Sequence, residues 1–218
     1  MSTSEPLTRE RVLEEAARLF ADRGYSHTRL KDIASAFGVT HAALYYHFER
    51  KEDILIELNR RAIQGLLEMA REVDASTDIV QAEKFDHVLY GHALFVAENV
   101  MMVASLFEGE YALPEQFKGW LRDERRQYTE LVTHMFRAGQ KAGRLAPGDA
   151  NVAVALLFGT ATWAYRWYRD TRDWAPGQLA KETILLAARG YLRDDMNMPS
   201  LAKDDSFRGG TPRPSGAF

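Results

Sequence analysis

Two groups of residues carry types and spacings suited to molecular recognition. In "VTHAALYYHF", Thr40, His41 and Ala42 stand at the start, and Tyr45, Tyr46 and His47 follow three residues later. Small side chains let a helix start approach a surface closely, while tyrosine and histidine rings can hydrogen-bond phosphates or base edges. His47 reads equally as a phosphate donor or as a packing histidine. In "TWAYRWYRDTRDW", Trp163, Arg166 and Trp167 follow helical spacing, with Arg169 near the helix end. Aromatic planes beside guanidinium groups suit an anionic ligand with a flat or apolar part. The same arginines could instead pair with Asp170, Asp173 or a carboxylate across a dimer, and both readings stand at this stage.

Other chemistries find little support. There is no Gly-rich phosphate loop, no GxSxG elbow and no HExxH motif, so no enzyme activity is expected. The chain has no cysteine, which removes disulfides, thiolate metal sites and a cysteine nucleophile, and suits a reducing cytoplasm. Glu83 with His87, and Glu130 with His134, stand four apart on helical segments. Single pairs of this kind are usually solvated or structural, and His87 and His92, five apart, share no helical face. No metal and no cofactor is expected. The formal net charge of -3 means that any basic surface is local. Arg29, Lys31, Arg50 and Lys51 supply one around the first group.

The elements that would position these residues can be read from caps and periodicity. Thr8 caps a first helix carrying Val12, Leu13, Ala16, Leu19 and Phe20 on one face, and Gly24 ends it. Thr28 is expected to cap a second helix, "RLKDIASAF", with Asp32 near its positive end. Gly38 makes the bend, and Thr40 caps a very short third helix anchored by Val39 and Leu44. Ile33-Ala34, Gly38-Val39 and Leu44 together form a helix-turn-helix pattern. Its anchors lie on one side, which turns Thr40, His41, Ala42, Tyr45 and Tyr46 outward, toward a DNA major groove.

The remainder reads as helical, over about 79–98, 100–109, 115–142, 149–171 and 177–193. The fold class is therefore all-α: an N-terminal helix-turn-helix DNA-binding domain at 1–50, a larger helical ligand-binding and dimerisation domain at 51–194, and a flexible tail at 195–218. With 46% apolar residues the chain can bury a sizeable core. Its most apolar run, "VAVALLFG", is far shorter than a membrane span, and no signal region opens the sequence. No membrane partner is expected, and a cytoplasmic location is. "ANVAVALLFGTATWAYRWY" is apolar nearly all round, and with "QLAKETILLAARGYL" it offers a surface for a homodimer. Aromatic residues between 85 and 136, including Phe107 and Trp120, either line an apolar pocket or form ordinary core.

Residues 8–58, through "AARLFADRGY", "LKDIASAFGVTHAALYYHF" and "KEDIL", resemble the DNA-binding domain of the TetR family of bacterial repressors. The resemblance implies contacts to double-stranded operator DNA from Thr40, His41, Ala42, Tyr45, Tyr46 and His47, and a phosphate contact from Lys51. His41 stands where lysine is frequent, and Arg29 where threonine or serine is usual, which leaves the operator sequence open. The segment around "TWAYRWYRDTRDW" and "GQLAKE" resembles a subgroup that represses fatty-acid and steroid catabolism. That implies an acyl-coenzyme A thioester as small-molecule effector, held by Phe107, Trp120, Trp163, Arg166, Trp167 and Arg169. A different apolar ligand, or a DNA-binding dimer without ligand input, are the alternatives.

Overall fold

The computed structural model describes residues 7–171 and 174–191, so the expected tail at 195–218 and Asp173 lie outside the described residues. The chain is all-α, and among the described residues no strand occurs. Contacts divide it into two compact units. One comprises the chain up to Ala62 with Val100–Leu121; the other comprises Ile63–Asn99 and the chain from Arg122 on.

In the first unit, α1 (Arg9–Arg23) buries Val12, Leu13, Ala16, Leu19 and Phe20, and Thr8 accepts from the backbone N–H of Arg11 as its cap. Helix α2 (Leu30–Ala36) ends in a Schellman motif: Gly38, at φ 65°, donates to the Ser35 carbonyl, and Val39 donates to that of Ala34. A residue with a Cβ pays steric strain at that angle, so the glycine sets the bend between the two helices. Helix α3 (His41–Tyr45) is five residues long. Thr40 accepts from the Ala43 backbone N–H at its start, while Leu44 and Phe48 are buried and hold it down. Helix α4 (Lys51–Ala75) then runs on into the second unit. Helix α6 (Val100–Gly109) packs along α1, and the first residues of α7 (Glu115–Lys141) complete the unit.

Thr28 departs from expectation. It is fully buried, and its hydroxyl points back to the carbonyls of Leu19 (3.2 Å) and Gly24 (3.0 Å). The N-cap of α2 is Arg29, whose backbone N–H donates to Asp32 at 2.7 Å. A buried threonine reaches these carbonyls at the end of α1 more readily than the open start of α2.

The second unit holds the remainder of α4 and α7 with α5 (Lys84–Glu98), α8 (Ala150–Trp163), α9 (Tyr165–Thr171) and α10 (Pro176–Tyr191). A single 3-10 turn at Gln81–Glu83 leads into α5. The segment read as one helix over 149–171 is two, interrupted at Ala164. α5 lies at the centre, packed against α8 and α10. Phe85 meets Phe136 edge to face at 4.8 Å, and Phe158 lies 6.0 Å from Phe85. A second Schellman motif closes α7: Gly143, at φ 73°, donates to Gln140 and Arg144 donates to Gly139. It turns the Arg144 guanidinium onto Asp86 of α5, at 3.1 and 2.7 Å, and both side chains are buried. Glu83 lies 3.6 Å from the same guanidinium. No single described helix is long and apolar enough to cross a membrane.

Candidate functional site

The helix-turn-helix side chains separate into anchors and a free face. Ile33, Ala34, Leu44 and Phe48 are buried, whereas Tyr45 is 47% and Tyr46 89% exposed. Thr40, His41 and Ala42 are exposed beside them. Two ring pairs stiffen the face. His41 meets Tyr45 at 4.5 Å, and Tyr46 meets His47 at 5.3 Å, each edge to face. His47 is half-buried, and its backbone carbonyl accepts from Arg9 at 2.9 Å. The Arg9 guanidinium also lies 4.1 Å above the Phe48 ring and 3.5 Å from Glu57 of α4, which ties the end of α3 to α1 and α4. Arg29 and Lys31 are exposed at the start of α2.

Lys51 holds a more internal place than a phosphate contact alone would need. Its ammonium donates to the carbonyls of Tyr25 (2.7 Å) and Thr28 (3.0 Å) and lies 4.2 Å over the Tyr25 ring. Burial, with Arg29 nearby, pulls it below the ordinary lysine value. It therefore pins the start of α4 to the turn between α1 and α2. Arg50, just before α4, is held by Asp53 of that helix, at 2.9 Å.

The six residues expected to hold an effector are divided between the two units. Phe107, 48% exposed, and half-buried Trp120 belong to the first unit; Trp120 lies 5.1 Å from Phe117, with Arg60 5.7 Å over its ring. Trp163, Arg166, Trp167 and Arg169 belong to the second. There the break at Ala164 splits the expected single face between α8 and α9, yet the side chains stay neighbours. The Arg166 guanidinium lies 5.6 Å over the Trp163 ring, and Trp167 meets Trp174 edge to face at 6.2 Å. Trp163, Trp167 and Trp174 are all about half exposed (56, 42 and 45%), so this is a surface of planar rings and cation rather than a buried lining. Arg169 is half-buried at the end of α9. Of the other aromatic residues between 85 and 136, Phe85, Phe95, Phe117, Tyr128 and Phe136 are core.

An open groove of about 630 Å³ runs along the second unit's part of α4, lined by Gln64, Leu67, Glu68, Arg71, Glu72 and Glu124. Burial and Glu68 raise the Glu72 carboxyl above its ordinary range. Three carboxylates against one guanidinium make it a poor seat for a phosphate-bearing ligand.

Sequence reasoning missed a polar chain in the core of the second unit. His92 Nδ1 lies 3.0 Å from the Tyr128 hydroxyl of α7, and Nε2 lies 2.8 Å from the Thr162 hydroxyl of α8. Phe158 packs edge to face on both rings, at 4.7 and 5.8 Å. Burial alone pushes the His92 imidazolium down to about 4, and it pushes the Tyr128 phenol well up. An unfolded histidine protonates near 6.5, so below that pH the unfolded chain takes up a proton that the folded one refuses. Stability should be full above pH 6.5, fall as pH drops, and level off below about 4. At about 1.4 kcal/mol per unit the loss is roughly 3 kcal/mol. Urea unfolding of the wild type and of His92→Gln between pH 7 and 4 checks this: the variant should show a shallower decline.

Two family profiles match successive parts of the chain. Residues 12–58 match the profile described as bacterial regulatory proteins, tetR family. Residues 78–191 match that of the tetracyclin repressor-like C-terminal domain. The HTH-type transcriptional repressor KstR2 of Rhodococcus jostii is 28% identical over 183 residues, 84% of this chain and 90% of that protein. The TetR family transcriptional regulator PfmR from Thermus thermophilus superposes with a TM-score of 0.73 at 29% identity, over 87% of this chain and all of its own. AibR, crystallised with isovaleryl coenzyme A and operator DNA, shares the fold with a TM-score of 0.67 at 24% identity, over 80% of this chain and 95% of its own.

Proposed function

The chain belongs to the TetR family of bacterial regulatory proteins, a regulator and not an enzyme, and on that premise we propose a dimeric, cytoplasmic operator-binding repressor released by an acyl-coenzyme A thioester. The observation that carries the DNA-binding half is the outward face of α3. A nearly bare Tyr46 and a half-bare Tyr45 stand on a helix whose other side is core. Residues 1–50 form the reading domain in this proposal. Thr40, His41, Ala42, Tyr45 and Tyr46 enter the major groove, while Arg29, Lys31, His47 and the remaining N–H of Lys51 reach phosphates.

One reading helix gives half a site, and a two-fold dimer gives two heads one helical turn apart. Support for the dimer surface comes from α8 and α10. Val152, Leu156 and Leu186 are exposed (55, 66 and 71%), and Gly159 on the same face of α8 has open space before it. Exposed apolar side chains in a row on a helix call for a cover. Leu156→Arg should therefore shift the protein toward monomer in analytical ultracentrifugation and weaken operator binding at least tenfold, with the melting temperature nearly unchanged.

The effector half rests on chemistry. The Trp163, Arg166 and Trp167 surface, with Arg169 and Trp174 beside it, offers stacking planes and cations to a nucleotide with phosphates. AibR, which shares the fold, was crystallised with isovaleryl coenzyme A, and that supports the reading. Effector binding would shift α4, and the Lys51 tie to Tyr25 and Thr28 would carry that shift to the reading head and spoil the spacing between the two heads.

The test is an anisotropy titration of DNA upstream of the protein's own coding region, at fixed salt, with and without a panel of acyl-coenzyme A thioesters. Tight binding released by one thioester class supports the whole reading. Tight binding that no thioester disturbs leaves the repressor and removes this effector.

A further inference from the structure

The His92 chain has one hydrogen too many. A neutral imidazole carries one N–H, and each hydroxyl carries one O–H, which makes three donors for the two contacts to Tyr128 and Thr162. Neither hydroxyl has another hydrogen-bond partner among the described residues. If the Tyr128 hydroxyl donates to Nδ1 and Nε2–H donates to Thr162, the spare hydrogen sits on Thr162. The opposite tautomer strands it on Tyr128, which is buried against Phe158. A buried donor without an acceptor costs about 1–3 kcal/mol, so the first arrangement wins. Thr162 is half-buried and its contact with His92 is part-buried, whereas the contact between His92 and Tyr128 is buried, so an acceptor can approach this end of the chain and not the other.

The cluster also defines what that acceptor is. It holds no cation, and its imidazole resists protonation, so a carboxylate or phosphate finds no counter-charge there. It suits a neutral oxygen at the border between an apolar interior and a wetter surface. Resting on the acyl-coenzyme A reading above, we propose that Thr162, oriented by His92 and Tyr128, donates the hydrogen bond that recognises the thioester carbonyl of the effector. That carbonyl is the one polar atom every acyl-coenzyme A places where its apolar chain meets its polar arm. Thr162 is the contact, whereas His92 and Tyr128 are positioning residues that hold its hydroxyl hydrogen outward. A site built to meet a polar group discriminates far more sharply against an analogue lacking it than an apolar wall does.

The experiment compares octanoyl-coenzyme A with S-octyl-coenzyme A, the thioether that keeps chain and nucleotide but lacks the carbonyl. Binding to full-length wild type, Thr162→Val and Thr162→Ser is read by calorimetry, with melting temperatures recorded for each. The wild type should prefer the thioester by about tenfold or more. Thr162→Val should lose that preference while binding the thioether as before, and Thr162→Ser should keep it. A merely structural role for Thr162 would move both ligands alike, and that result overturns the proposal. So does a wild type that binds both ligands equally, an outcome that leaves the acyl-coenzyme A reading intact. A wild type that binds neither, nor other members of the thioester panel, sinks that reading and this contact together.

Discussion

Asp86→Ala is expected to lower the melting temperature by roughly 6–20 °C. The Asp86 carboxylate is 1% and the Arg144 guanidinium 9% exposed, with two nitrogens of the guanidinium on one carboxylate oxygen at 3.1 and 2.7 Å. Removing the carboxylate leaves a buried cation, and breaking a buried pair from one side costs about 3–5 kcal/mol. In a chain of this length each kcal/mol shifts the melting temperature by about 2–4 °C. Glu83, 3.6 Å from the guanidinium, softens the loss and puts the expectation toward the lower end. The charge itself is not what stabilises: a matched apolar pair, Asp86→Leu with Arg144→Met, should recover most of the drop, because both desolvation costs vanish together. Thermal unfolding of the single and double variants decides it. A double variant that melts no higher than the single one would mean the ion pair has a role beyond neutralising a buried charge.

Tyr46→Ala is expected to weaken operator binding by roughly 10–100-fold while leaving the melting temperature where it was. A specific major-groove contact contributes about 1–3 kcal/mol of discrimination. Because the side chain is 89% exposed and its ring meets that of His47 edge to face, the fold has little to lose. Leu44→Ala, two positions earlier and fully buried, should do the reverse, costing about 2–5 kcal/mol of stability and disabling the reading head by unfolding it. The titration has to be run at one salt concentration, since phosphate contacts dominate the salt dependence and would mask a base contact. If Tyr46→Ala binds the operator like the wild type, the reading face has been misassigned.

Much of the reading head was legible because its determinants are local. Thr8, Gly24, Gly38 and Thr40 act within four residues of their own positions, and the apolar spacing of Val12, Leu13, Ala16, Leu19 and Phe20 marks the buried face of α1 directly. Thr28 was misjudged because its hydroxyl had two sets of backbone groups within reach, and burial chose the earlier one. The break at Ala164 left no mark in the sequence: alanine is the best helix former, and the aromatic spacing runs through it unchanged. The pairing of Asp86 with Arg144 spans 58 residues, and His92 meets partners 36 and 70 residues away. Periodicity says which face of α5 is inward but not what waits there. His92 was weighed only against His87, along its own helix, when its partners come from two others.

The division of labour within α3 has a consequence for descent. At five residues the helix is too short to persist alone, and it is held by Thr40, Leu44 and Phe48, none of which needs the outward rings. His41, Tyr45 and Tyr46 can therefore be exchanged with little penalty to folding. With these rings reading the operator as proposed, a duplicated copy of this gene could drift to a new DNA sequence by a few substitutions at those positions, each intermediate still a folded protein. The scaffold is inherited and the address is rewritable, which makes this short helix a natural place for one regulator to become two.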